Sequence, residues 1–557
     1  MILKTYVILF YSLILLSFFG CQENKQPLEA QVPPNIIFIM SDDHAWNAVG
    51  AYKSRLAAVN PTPVLDKFVK DGMQFNNVFC TNSICTPSRA NIITGQYSQT
   101  NGVLDLDGRL PAEKQYLPKE MKKLGYQTAI VGKWHLKDAP DAFDYYNVLP
   151  VQGKYFDPVF ITREAGERRE TIDFHGGVKR EVNVTSYTGH CTDIITDLTL
   201  NWLDQKRDTT KPFFLMHHYK APHDDFEFAP RYKDYLAAVK IPEPESLYDQ
   251  PDFGSPALFG ENGALRHRIG TSVSDRHLYR SYTAQYGTDK IAKTRDEATS
   301  MAYQEYLKRY LRCVKGVDDN LGRLFDYLKE NGLWENTIIV YTGDQGMMLG
   351  EHDYMDKRWM YEESMRMPFL MHYPKTMMEK KTVKGQSDLL INNTDFAPTL
   401  IQLAGGQTPD YMQGKSFASV LNGEEPADWR EETYYRYWMH LVHHDIPAHF
   451  GIRTSKYKLI YYYGEHYEPA KYGTGTMWWL KGGSFKIEST PKAWEFYDLS
   501  KDSQEVVNRI DDPAYQDIIS DLKDRLKKVR EAYQETDENY PHLAKVIEDN
   551  WNPPLQK

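Results

Sequence analysis

The stretch "NIIFIMSDDHAW" (residues 35–46) carries an unbroken apolar run over 36–40 that ends on Ser41-Asp42-Asp43. An apolar run of strand length without alternation reads as a strand covered on both faces, the environment of a parallel sheet. Three other segments share this form. "TAIVGKWH" has a strand over 128–131 followed by Gly132-Lys133-Trp134-His135. "PFFLMHHYKAPH" has 213–216 leading to His217, His218, Lys220 and His223, and "NTIIVYTGDQG" has 338–341 ending at Asp344 and Gln345. In each, the ionisable residues stand at the carboxyl end of the strand, where open α/β sheets place their ligand sites. A strand-ending Asp or Gly often does no more than make a turn, but four such ends together point to one shared crevice. The expected fold class is therefore α/β, with a large central, mostly parallel sheet flanked by helices.

Outward from these strands the pattern is helical. Leu307, Leu311, Val314, Leu321, Leu324 and Leu328 share one face of residues 306–332, and Asn331-Gly332 supplies a stop. Residues 240–299 are polar and irregular, a length of loop that is usually functional or disordered. Past 422–432 the pattern changes. "GIRTSKYKLIYYY" and "WEFYDLSKD" suggest antiparallel strands, followed by an amphipathic helix using Ile518, Leu522, Leu526, Val529 and Tyr533. The expected organisation is a large α/β domain over 33–425 and a smaller C-terminal α+β domain over 430–557.

The 557 residues suffice for a large core. A net charge of −10 with no basic tail argues against nucleic acid as a partner. Lys4, an apolar run over 6–19 and Gly20-Cys21 read as an export signal over 1–20, too short to span a bilayer. Gly before Cys resembles a bacterial lipoprotein signal, with Cys21 lipidated as the mature N-terminus; ordinary signal cleavage is the other reading. The expected location is periplasmic, or anchored by that lipid to the outer membrane or cell surface of a bacterium. The five cysteines (Cys21, Cys80, Cys85, Cys191 and Cys313) exclude a dense disulfide framework but leave one bridge open. Cys80 is expected to be a buried thiol.

In "FCTNSICTPSRANIITGQY" (79–97), Thr86 is placed to cap and Pro87 to open a helix. Cys85 would then sit at a helix N-terminus with Arg89 one turn in, a favourable place for an anion. The residues alone allow either a reactive thiolate there or a half-buried structural thiol.

Cys85-x-Pro87-x-Arg89 followed by "ANIITGQY" resembles the signature of the formylglycine-dependent sulfatases. "NIIFIMSDDHAW", "GKWH", "APH", "TGDQGMMLGEH" and "DKRWMYEESMRMPF" stand in that family's order, so the resemblance runs from Asn35 into the C-terminal region. It implies an alkaline-phosphatase-like fold and an aldehyde residue, formylglycine (3-oxoalanine), made from Cys85 by a sulfatase-maturing enzyme. Hydrated to a gem-diol, that residue attacks sulfur, and its second hydroxyl later expels sulfate, a route closed to a thiol. Asp42, Asp43 and Asp344 are hard carboxylate ligands and Gln345 a neutral one, where relatives often carry Asn or His. The set suits Ca²⁺ or Mg²⁺, and calcium is the family's usual ion; the cation would also touch the modified Cys85. By the same resemblance Arg89 and Lys133 hold the nucleophile and sulfate, Lys357 adds a cation, His135 assists collapse of the gem-diol, and His223 protonates the leaving oxygen. The context of His217, His218, His352, His440, His443, His444 and His449 is weaker, and lone histidines are usually structural.

"GEHDYMDKRWMYEESMRMPF" is most like N-acetylglucosamine-6-sulfatases acting on glycosaminoglycan-type glycans. The expected substrate is then a 6-O-sulfated glucosamine or N-acetylglucosamine of a heparan-type or related glycan, attacked from the non-reducing end. Asp356, Arg358, His443 and His444 are candidates for sugar hydroxyls. The rival enzyme readings are a different sulfate position, or a formylglycine-dependent phosphonate or phosphate monoester hydrolase. A non-catalytic glycan-binding lipoprotein is the rival of another class, and it would be expected to have lost the nucleophile or the carboxylates.

Overall fold

Every residue of the strand Asn35–Asp42 is buried. Ile36, Phe38 and Met40 enter one hydrophobic core while Ile37 and Ile39 enter another, so the run is apolar throughout because both faces are covered. The structure is a computed structural model that describes residues 33–552, apart from 175–178, 249, 260–271, 275–291, 293, 375–384, 443, 473, 477–483 and 487. The leader with Cys21, most of the irregular 240–299 segment's second half, and His443 lie outside the described residues.

Five strands run parallel at the centre of an eleven-stranded sheet, in the order Thr337–Gly343, Asn35–Asp42, Phe213–Pro222, Gln127–Lys133, Tyr145–Leu149. Antiparallel strands extend it on both sides: Phe369–His372 and Met73–Phe75 on one, Val159–Thr162 and Lys179–Ser186 on the other. The sheet is thus mixed, with its parallel part where the sequence places it. Two expectations need correction. The strand expected over 213–216 continues to Pro222, so His217 and His218 lie inside it. They point to opposite faces, His217 Nδ1 to Thr199 Oγ1 at 2.7 Å and His218 Nδ1 to the Lys133 carbonyl at 3.0 Å. The long helix spans Arg295–Glu330, starting inside the segment expected to be irregular. Thr294 caps it by accepting from Glu297 N at 3.1 Å. Its expected apolar face is buried against the sheet.

At the C-terminal end, Glu432–Tyr437, His449–Thr454, Tyr457–Tyr462 and Ala493–Asp498 form a four-stranded antiparallel sheet. The helix Gln516–Ala532 covers it through Ile519, Leu522 and Leu526. Ile519 rather than Ile518 is the buried residue, which turns the expected face by one position. From Pro34 onward the described residues pack as one compact unit, and none of their helices is long and apolar enough to cross a membrane. Cys80, Cys85, Cys191 and Cys313 are all free and buried.

Glu495, in the last strand of the smaller sheet, is fully buried; Tyr361 and Tyr497 donate to it at 2.8 and 3.0 Å. Burial pushes its carboxyl up to about 7. Between its unfolded value near 4.5 and about 7 the folded state holds the extra proton, so stability falls as pH rises through that window. Glu495→Gln is expected to flatten this slope. The wild type should lose about 3 kcal/mol more than the variant from pH 4.5 to 7. Thermal or urea unfolding across that range checks it, and parallel profiles for the two proteins would refute it.

Candidate active site

The four strand ends meet. Asp42 closes its strand, Lys133 closes a second, and Asp344 follows a third by one residue. His223 follows the strand Phe213–Pro222 directly. Gly132 has φ +106, and a Cβ there would lie 1.8 Å from the His218 carbonyl oxygen. Only glycine lets the two strands approach this closely at the residue before Lys133.

Cys85 is the first residue of the helix Cys85–Thr94, whose cap is Ile84 in extended geometry. The expected cap at Thr86 is therefore not made. Thr86 lies inside the first turn with its Oγ1 buried and unpartnered, and Pro87 is third, still where backbone N–H groups have no helical acceptor. The Cys85 thiol lies 3.3 Å from Asp42 Oδ1. Arg89 donates to Asp344 Oδ2 at 3.0 Å and to the Lys133 carbonyl at 2.8 Å, with Asp42 Oδ1 3.5 Å away. Lys133 pairs with Asp42, and Lys357 lies 2.5 Å from Asp43 Oδ2. Asp43 N donates to Asp344 Oδ1 at 3.0 Å.

Oxygens of Asp42, Asp43 and Asp344 lie within 4.8 Å of one another, and so do single ligand atoms of Asp42, Cys85 and His223. Gln345 turns its Nε2 toward Asp43 and leaves its buried Oε1 without a partner. This donor set, three buried carboxylates with an amide oxygen to spare, fits a hard divalent cation. Electrostatics agree. Burial, then the neighbouring Asp42 carboxylate, pushes Asp344 up to about 7. For Asp42 itself burial acts upward, but Lys133, His223 and Arg89 outweigh it and hold the carboxyl well below the usual range. Burial and Asp42 raise the Cys85 thiol well above its ordinary value. Burial, then Lys133, lowers His135 well below an ordinary histidine; its Nδ1 is buried and unpartnered.

Around this centre, Arg358 pairs with Asp356, and His444 Nε2 lies 3.3 Å from Asp356 Oδ2. Asp356 Oδ1 is 3.7 Å from Lys357, which joins the group to the carboxylate cluster. Asp43, His135, Asp356, Arg358 and His444 all have positive φ, a concentration of strained backbone typical of functional sites. His440, His449 and His352 are spent on structure: His440 Nε2 meets the Glu488 carbonyl, His449 Nδ1 the Pro447 carbonyl, and His352 stacks on Phe253 at 4.0 Å. Sequence reasoning missed Gln152, whose Oε1 accepts from Lys133 at 2.5 Å. It also missed Tyr155, whose hydroxyl donates to the His223 carbonyl at 2.5 Å. Neither lies in a motif; only the fold brings them in. Asp224, adjacent to His223 in "APHDD", carried a signal that was there to be used.

The sulfatase family profile matches residues 34–406. This chain belongs to the sulfatase family. It is a sulfuric ester hydrolase. A second profile, the C-terminal region of N-sulphoglucosamine sulphohydrolase, matches residues 350–474 of this sulfatase. It is 34% identical over 538 residues to an N-acetylglucosamine-6-O-sulfatase of Bacteroides thetaiotaomicron, covering 90% of this chain and 87% of the relative. Against N-acetylglucosamine-6-sulfatase of Capra hircus the identity is 25%, over 75% of this chain and 69% of the relative. Among solved structures, one determined in complex with its substrate, D-glucosamine-2-N,6-O-disulfate, matches with TM-score 0.72 and 33% identity over 91% of this chain and 99% of that one. A phosphonate monoester hydrolase from Silicibacter pomeroyi matches with TM-score 0.62 and 20% identity over 89% and 95%, a likeness of fold alone.

Proposed function

We propose that this sulfatase removes 6-O-sulfate from glucosamine or N-acetylglucosamine at the non-reducing end of heparan-type or related glycans. The reading has Cys85 oxidised to formylglycine by a sulfatase-maturing enzyme and one calcium ion held by Asp42, Asp43, Asp344 and Gln345. The observation that carries it is the buried Asp42–Asp43–Asp344 cluster against Cys85, in a chain 34% identical to an N-acetylglucosamine-6-O-sulfatase. When present, the two groups supply a hydrated-aldehyde hydroxyl as nucleophile and Lewis acidity on the sulfate oxygens.

The chain's own residues supply the rest. Three carboxylates against Arg89, Lys133 and Lys357 leave the cluster balanced, so a divalent cation turns it into a receptor for an anion. Arg89, fixed by Asp344 and the Lys133 carbonyl, holds the residue-85 side chain from one side. Lys133 and Lys357, on opposite carboxylates, bracket the position of a sulfate group and stabilise charge as it develops. His135, whose buried Nδ1 is left without a partner, is assigned to accept a proton from the residue-85 side chain. His223 Nε2, 3.7 Å from Asp43 Oδ2, faces the same space and donates a proton to the leaving sugar oxygen. Asp356, Arg358 and His444 orient the sugar through its hydroxyls, and His443 is proposed to join them. Within the same proposal the protein is exported, and lipid on Cys21 holds it at the outer membrane or cell surface, or it is free in the periplasm.

A two-metal phosphatase reading is less well supported, since it needs a second ligand set; the formylglycine-dependent phosphonate reading is separated by turnover. Among the described residues every group of metal-capable side chains includes Asp42, the mark of one cation site. Turnover of 6-O-, 2-O-, 3-O- and 4-O-sulfated sugars, with an aryl phosphonate alongside, tests the proposal. Preference for 6-O-sulfated glucosamine by about 10²-fold or more is expected, a site that hydrogen-bonds its substrate being strongly selective. Equal turnover of another sulfate position, or of polymer capped at its non-reducing end, would overturn it.

A further inference from the structure

His223 is held by its backbone on two sides. Its N–H donates to the Lys220 carbonyl at 3.1 Å, and its carbonyl accepts from Tyr155 at 2.5 Å. Tyr155 is itself fixed, with the Lys220 ammonium 4.7 Å above its ring. What these contacts leave free is rotation of the imidazole. Its Nδ1 lies 2.6 Å from Asp224 Oδ1 and 2.7 Å from the Asp224 carbonyl oxygen. Both partners are acceptors, so Nδ1 must carry a hydrogen. The opposite nitrogen, Nε2, is thereby aimed at the carboxylate cluster.

We propose that Asp224 is a positioning residue for the sulfatase reaction: it locks the His223 ring so that Nε2 alone serves the leaving oxygen. The inference rests on the reading of His223 as the proton donor. As the S–O bond to the sugar breaks, its electron pair stays on the ester oxygen while sulfur passes to the nucleophile at position 85. The ring enters this step with a hydrogen on each nitrogen; the ester oxygen takes the one on Nε2, and the Nδ1 proton stays between the ring and Asp224. The ring ends neutral, still aimed. Without Asp224 the ring is free to flip and loses the carboxylate that favours a hydrogen on both nitrogens, so the fraction of molecules with the productive arrangement falls.

Asp224 has a half-exposed side chain (46%), so Asp224→Ala is expected to fold normally, which its melting temperature checks. On a 6-O-sulfated glucosamine, His223→Ala is expected to lower kcat by about 10²–10⁴-fold. Asp224→Ala is expected to lower it by about 10–100-fold with KM changed less than about threefold. Nitrogen-15 NMR of histidine-labelled protein, with the His223 signals assigned by their loss in His223→Ala, should show Nδ1 protonated in the wild type and mixed tautomers in Asp224→Ala. If His223→Ala keeps full turnover, the proton-donor reading fails. If His223→Ala is impaired while Asp224→Ala keeps its kcat, or keeps the wild-type tautomer, the role assigned to Asp224 is wrong.

Discussion

On the proposed mechanism, Cys85→Ala is expected to lower kcat on 6-O-sulfated glucosamine by about 10⁵-fold or more, because a methyl group replaces the thiol that is to be oxidised to the aldehyde. The loss should not come from unfolding. Cys85 is 1% exposed and among the smaller side chains of its helix, and removing one sulfur from such a site costs on the order of 1–2 kcal/mol. In wild-type protein from its native host, the peptide containing residue 85 should be lighter than the cysteine form by about 18 Da, the difference between a thiol and an aldehyde residue. The variant peptide should have its encoded mass. Full activity in protein whose Cys85 is unmodified would sink the mechanism, since a thiol has no second hydroxyl with which to expel sulfate.

If the proposed cation is calcium, its removal is expected to have the next largest effect. Chelation should lower activity by about 10³-fold and calcium should restore it, with magnesium a poorer substitute because it demands stricter octahedral geometry. The melting temperature should fall on chelation as well, because a ligand bound only by the folded state stabilises it. Asp344→Asn should weaken the metal's hold and release one anchor of Arg89, which donates to Asp344 Oδ2; a loss of about 10²–10⁴-fold is expected. Elemental analysis with calorimetric titration of calcium reads binding separately from turnover. Full activity in protein shown to be metal-free would remove the cation from the mechanism.

The parallel strands were legible because burial on both faces leaves a plain mark, an apolar run with no alternation. Ile36 to Met40 shows it in a window of five letters, and the two cores on either side of that strand are the reason. The carboxylates and Lys133 were legible for a related reason, since a charge that directly follows a buried strand must lie at the sheet's edge. The true length of the His217–His218 strand was not. Two histidines read as polar, yet inside the fold one finds Thr199 and the other the Lys133 carbonyl, partners from other elements that local sequence does not display. The start of the Cys85 helix was misread in the same way. Thr86 has the chemistry of a cap, but packing begins the helix at Cys85 after an extended Ile84.

Residue types and their order, then, were enough for the parallel strands and for the polar residues at their ends, because each is marked within a few adjacent residues. Tertiary structure decided which side chains surround them. Gln152 reaches Lys133, Tyr155 holds His223, and His444 turns to Asp356 across long separations in the chain. Those contacts depend on how separate elements pack, and a hydrogen bond between residues far apart in sequence has no signature in either one alone.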